Sequence, residues 1–211
     1  KFRPFLVKEQ KLLLMAQQNK NTKEVTDAMI TIISNCTGVD ATNLPTFDVE
    51  YIFLKIRGKS VGDIVDLNLI CPDDNLTTVP IKLDINEIDV QISEDHTNTI
   101  QLTDEIKLVM NYPTLSDASE HEITADNPDG VFKVLQTCIN EIHNGDEIFH
   151  KVDMTKADIS DFVDSLNTQQ FNSLLAFFET MPKLRHVVEV TNPKTGVTSE
   201  VLLEGMESFL E

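Results

Sequence analysis

Basic side chains are scarce in this sequence. Lysine and arginine number 17 among 211 residues, against 35 aspartates and glutamates, a formal net charge of −18. A protein that grips DNA or RNA needs a basic stripe. Here the positive residues read as scattered among the acids, so nucleic acid is not an expected partner. The acid excess implies solubility and self-repulsion, or an acidic face that meets a basic partner. Long apolar runs are also missing. The run Leu12 to Ala16 is far shorter than the roughly 20 residues that cross a bilayer, so no membrane partner is expected. No targeting segment is visible, but the chain opens at Lys1 rather than Met, which leaves room for native residues ahead of it.

Cysteine is rare as well. Cys36, Cys71 and Cys138 are odd in number, far apart and form no CxxC pair. They read as reduced core residues in a reducing compartment. A metal site needs convergent His, Cys or carboxylate ligands. The five histidines, His96, His121, His143, His150 and His186, show no tight pairing, so no cofactor or metal is expected. No Gly-x-Ser-x-Gly nucleophile turn occurs. Asp158, Asp161 and Asp164 offer carboxylate pairs of the glycosidase kind, but 35 acids make such spacings common, and they read as a solvated helix face.

One stretch invites a functional reading. Residues 57–62 read RGKSVG, which looks like the end of a phosphate-binding loop. That loop needs a glycine five positions before Gly58, where its backbone N–H groups wrap phosphate. Phe53 stands there, inside an expected helix. The order helix, loop, strand also reverses the required strand, loop, helix. Gly58 reads instead as a helix stop, with Lys55 and Arg57 facing the negative end of the helix dipole.

Hydrophobic spacing supplies the elements. Helices are expected over Lys8–Asn19, from Asn21 or Thr22 through Ile33 with Gly38 just beyond, and from Thr46 or Asp48 through Ile56. The period then switches to two. Alternation predicts strands around Val65–Cys71, Val79–Ile85, Ile88–Ile92, Ile100–Leu102 and Ile106–Met110, with short links that favour an antiparallel meander. A short turn over Asp117–Glu122 follows. A helix opening at Asp126–Pro128 is expected to carry Val131, Val134, Leu135, Cys138, Ile139 and Ile142 on one stripe and to end at Gly145. Two more helices follow, one opening at Thr155 or Asp158, the other capped by Thr168 and stopped at Pro182. Val187–Val190 and Glu200–Leu203 flank a turn at 192–196, and a helical end covers Met206–Leu210. The expected class is α+β: N-terminal helices (1–62), a central antiparallel β-meander (63–112), then C-terminal helices with a terminal β-hairpin (113–211).

Several stretches together carry a resemblance. Residues 1–16, KFRPFLVKEQKLLLMA, and 47–62, FDVEYIFLKIRGKSVG, are long and specific. Asn111–Thr114, the Phe162–Leu184 region and the hairpin Thr191–Gly196 leading to Gly205 add to them. The chain resembles, over almost its whole length, the baseplate hub and hub-assembly proteins of T4-like contractile-tailed phages. No second cysteine accompanies Cys71 in its hairpin, which argues against a metal there.

The resemblance implies a non-enzymatic role in building the tail baseplate, in the host bacterial cytoplasm, as a retained hub part of the virion or as a departing assembly factor. Expected partners are other baseplate hub proteins, with a homo-oligomer open. Candidate contacts are Arg3 and Phe5 in the N-terminal segment, Arg57, Lys59 and Ser60 in the basic turn, and Phe177 and Phe178 on a broad apolar helix. A cell-wall hydrolase and an acidic mimic of nucleic acid are the alternatives.

Overall fold

A computed structural model describes residues 1–18, 22–120 and 128–209. The expected element ends at Asn19, Asn21, Glu122, Asp126, Asn127 and Leu210, together with His121, lie outside the described residues. The chain divides into two compact units, Lys1–Gln91 with Pro182–Glu211, and Ile92–Met181. The α+β class holds, and every strand pair is antiparallel.

The first unit begins with α1 (Val7–Gln18), α2 (Thr22–Thr37) and α3 (Thr46–Val61). Met29, Ile32, Ile33 and Cys36 of α2 are buried, as their spacing requires. Then come β1 (Ile64–Ile70), β2 (Thr78–Asp84) and β3 (Asp89–Gln91). β1 and β2 form a two-stranded sheet among the described residues, Leu67 opposite Ile81. The unit is completed from the far end of the chain by β8 (Lys183–Thr191), β9 (Thr198–Glu204) and a 3-10 turn at Met206–Phe209. β3 joins β8 rather than its sequence neighbours, in the order β3-β8-β9. One core holds Leu54 of α3, Val65 and Leu67, Leu83, Ile85 and Ile88, Leu184, Leu203 and Phe209. Two loops are tied to each other: Asp73, after β1, accepts from Asn192 Nδ2 (3.0 Å) and Thr195 Oγ1 (2.6 Å), after β8.

The second unit carries β4 (Thr99–Gln101), β5 (Ile106–Met110), α4 (Leu115–Glu120), α5 (Pro128–Cys138), β6 (Ile139–Asn144), β7 (Glu147–His150), α6 (Lys156–Asp164) and α7 (Thr168–Thr180). Its sheet runs β4-β5-β6-β7. Ile100, Leu108, Met110, Val134, Leu135, Cys138, Ile139, Ile142, Ile159, Val163, Leu174 and Phe177 form its core.

Four expectations are corrected. The strands of the expected meander are distributed over three sheets, because β3 pairs with β8, and β4 and β5 pair with β6 and β7. The helix expected through Ile142 ends at Cys138, and 139–144 is strand. Gly145 (φ 59°) closes no helix: it sits in the two-residue turn between Asn144 and Glu147, which pair across the hairpin. Asn167, not Thr168, caps α7, accepting from Gln170 N while the Gln170 side chain accepts from Asn167 N. Thr155 caps α6 in the same way with Asp158.

Candidate interaction surface

The RGKSVG stretch is not a turn into the sheet. Residues 57–61 are the last turn of α3, and the helix closes at Gly62 (φ 113°), whose N–H donates to Gly58 O (2.9 Å). Gly58 is buried inside the helix. A Cβ there would lie 2.4 Å from Ile85 Cδ1 and 2.8 Å from Asp63 Oδ1. The glycine is a close-packing residue against the sheet, so neither phosphate binding nor a helix stop explains it. Lys55 does not face the helix end: its Nζ donates to the carbonyls of Ile85 (3.1 Å) and Ile88 (3.2 Å).

The residues that follow Gly58 hold the N-terminal segment. Ser60 Oγ donates to Ile56 O (2.5 Å) and accepts from Phe5 N (2.9 Å). Lys59 Nζ donates to Phe2 O (3.2 Å) and lies 4.9 Å from the centre of the Phe2 ring, a cation–π distance. Arg3 N donates to Cys36 O (3.0 Å), which ties the segment to α2. Arg3 Nη2 donates to Glu9 Oε1 (2.9 Å), and Leu6 N donates to Glu9 Oε2 (2.8 Å). Glu9 is 2% exposed. The hydrogen bond from Arg3 holds its carboxyl far below the usual range, at about 2.

Four of the seven expected contact residues thus meet: Arg3, Phe5, Lys59 and Ser60. Ser60 bonds Phe5 directly, whereas Lys59 bonds Phe2 O and Arg3 bonds Cys36 O and Glu9, and the exposed apolar surface falls to their neighbours. Phe2, Leu6, Val7, Val61 and Ile64 are exposed large hydrophobics at this junction, Val7 by 80%. The first 62 residues, which supply most of it, are basic in composition. Nine of the 17 lysines and arginines fall within residues 1–62, against six of the 35 acids, so the positive charge is not scattered as the sequence first suggests. Arg57 lies half-buried on α3, and burial pushes its guanidinium down from the ordinary value.

Phe177 and Phe178 belong to the other unit. Phe177 is 3% exposed and stacks on Tyr112 with ring centres 5.6 Å apart. Phe178 is half-buried and meets Phe177 edge-on at 5.2 Å. His96, which sequence reasoning passed over, lies against the Phe177 ring with centres 5.3 Å apart and meets two hydroxyls. Its Nδ1 is 3.0 Å from Thr180 Oγ1 and its Nε2 2.9 Å from Tyr112 OH. Burial lowers the pKa of this imidazole and raises that of the Tyr112 phenol.

The remaining perturbed groups serve the fold. Asp158, a member of the carboxylate pairs, accepts from Thr155 N and Oγ1 at the start of α6. Asp74 is lowered by its bonds from the Thr77 hydroxyl and from the Thr77 and Leu76 amides. Cys36, Cys71 and Cys138 are buried and unpaired, and burial pushes the Cys138 thiol up to about 12. Among the described residues no group of three His, Cys, Asp or Glu side chains could hold a metal ion, and no helix is long and apolar enough to cross a membrane.

These features define an α+β protein of two units with an exposed apolar and basic junction at its N-terminal end. The family model described as T4 bacteriophage base plate protein matches residues 1–211, so the chain belongs to that family and is a phage baseplate protein. No curated protein and no solved structure matches it.

Proposed function

We propose that this chain is a non-enzymatic assembly or structural protein of the baseplate hub, and that it works by presenting the N-terminal junction to other hub proteins. The observation that carries this reading is the junction itself. Phe2, Leu6, Val7, Val61 and Ile64 are exposed where Lys59 and Ser60 hold the N-terminal segment against the end of α3. Apolar residues held in a fixed frame and ringed by polar groups make a docking surface. The internal bonds pre-pay the ordering of the segment, so less freedom is lost when a partner binds. The positive balance of residues 1–62 suits a partner with acidic side chains around an apolar centre.

Membership of the baseplate family supports a place among other baseplate proteins in the tail. Retention in the mature virion and departure after assembly are both compatible with a docking role. The test is co-expression of this chain with the other baseplate proteins of its phage, followed by size-exclusion chromatography. The wild-type chain should elute in a complex, and Lys59→Glu should elute free of it. Co-elution of the folded variant at wild-type yield would remove the junction as the contact.

A further inference from the structure

The second unit holds a cavity of about 400 Å³ lined by Asp117, Lys133, Gln136, Thr137, Lys151, Lys156 and Ile159. It lies among α4, α5, α6 and the 3-10 turn at Lys151–Asp153. Its charge is out of keeping with its surroundings. Residues 92–181 contain 17 acids but only four lysines and no arginine. Three of those four lysines line this one cavity.

Like charges brought together repel, and two of the neighbouring carboxylates already have partners. Asp117 Oδ2 accepts from Thr114 N (2.9 Å) and Thr114 Oγ1 (2.7 Å) at the start of α4. Asp129 pairs with Lys133 at 2.6 Å on the exposed side of α5. Lys151 gives one donor to Thr137 O (2.5 Å). Lys156 has no hydrogen bond or ion pair among the described residues. An ammonium group has three donors, so all three lysines keep unused donors. Buried Ile159 adds an apolar wall.

We infer that this cavity binds a short acidic segment of a partner protein, taking its carboxylates on Lys133, Lys151 and Lys156 and an aliphatic side chain against Ile159. The volume lies in the range of about 300–1,000 Å³ typical of ligand sites. Single ammonium charges without arginine forks or a glycine-rich cradle favour carboxylates over a chelated phosphate. The excess of acids in residues 92–181 repels an extended polyanion such as nucleic acid at long range, whereas a short segment interleaving acids with leucines delivers both groups to the cavity. The inference rests on the reading of the chain as a docking protein and adds a second contact of opposite demand, distinct from the N-terminal junction.

The test uses the full chain and a fluorescein-labelled, capped peptide of sequence ELEELE, read by fluorescence anisotropy. Saturable binding that weakens with added salt is expected, with no binding of the charge-reversed peptide KLKKLK. Lys156→Glu should weaken binding by about tenfold or more. Lys156 opens α6, where an acid favours the helix dipole, so the variant should keep its thermal midpoint. Absence of saturable binding would overturn the inference. So would equal affinity in Lys156→Glu, or displacement of the peptide by inorganic phosphate at matched concentration. The assay contains no other phage protein, so its failure leaves the N-terminal junction standing, and failure of the junction variants leaves the cavity standing.

Discussion

Replacing Gly58 with alanine separates two roles that a helical glycine can have. In an open helix interior, alanine is about 1 kcal/mol better than glycine, and Gly58 lies inside α3. If Gly58 only interrupted the helix, Gly58→Ala would stabilise the protein by about that amount. The structure gives the opposite sign. The new methyl would stand 2.4 Å from Ile85 Cδ1 and 2.8 Å from Asp63 Oδ1. Ile85 is 1% exposed in a core shared with Leu54, Leu83 and Ile88, so its end methyl has little room to move. Overpacking of this kind costs about 1–3 kcal/mol, which sets a net loss between about zero and 2 kcal/mol. A second substitution makes the reasoning sharp. Ile85→Val deletes Cδ1 itself, at a cost of about 0.5–1.5 kcal/mol alone. In the double variant the alanine methyl enters the vacated space. The pair should therefore be more stable than the sum of the single changes by about 1 kcal/mol. Urea unfolding followed by circular dichroism, with amide exchange over residues 46–61, measures all four proteins. A stabilised Gly58→Ala, or strict additivity in the cycle, would refute the close-packing account.

Other consequences are as direct. Glu9→Gln removes the charge from a buried partner of Arg3 and should cost about 1–3 kcal/mol, with faster tryptic cleavage after Lys8; adding Arg3→Gln should cost little more. The sign of the pH effect follows from the Glu9 carboxyl at about 2, below its ordinary 4.5. Its contribution is complete above about pH 4.5 and is lost as pH falls toward 2, so the urea midpoint should drop across that window in the wild type and less so in Glu9→Gln. His96 is lowered by burial, so the unfolded chain takes its proton first. The second unit should lose stability as pH falls below about 6.5, and His96→Gln should flatten that slope between pH 7 and 5. The cap assignment at α7 separates neighbours: Asn167→Ala should cost about 1 kcal/mol, whereas Thr168→Ala should leave the thermal midpoint nearly unchanged.

Much of the fold was legible because single-face patterns survive tertiary packing. The stripe Val49, Phe53 and Ile56 is buried in α3, and Val65, Leu67 and Cys71 alternate inward in and just after β1. The error at Ile139 and Ile142 has a specific cause. β6 carries a bulge: Val109 pairs with Glu141 and Met110 with Ile139, so Asn140 has no opposite residue. The extra residue turns Ile139 and Ile142 to the same core, three apart, which mimics helical spacing after Cys138. The Asn144-Gly145 pair between them and β7 was the available signal of a hairpin. The placement of β3 beside β8 joins residues more than ninety positions apart, and no local pattern encodes that. At the junction, the sequence marked Arg3, Phe5, Lys59 and Ser60 by residue type. It could not show that Ser60 and Lys59 bond the backbone of Phe5 and Phe2, or that the exposed surface falls to Phe2, Leu6 and Val7. The lysine cavity was invisible because Lys133, Lys151 and Lys156 come together only through the packing of α5 against α6.

The central claim is that the N-terminal junction docks a baseplate partner, and Val7→Asp tests it most directly. Val7 is 80% exposed and opens α1, where an acidic side chain favours the helix dipole. The variant should therefore fold with an unchanged or slightly raised thermal midpoint, while a charge enters the apolar centre of the surface. Cells infected with phage carrying Val7→Asp should accumulate normal amounts of this chain but few complete baseplates by electron microscopy. Wild-type numbers of baseplates, with the variant folded and present at normal levels, would contradict the account.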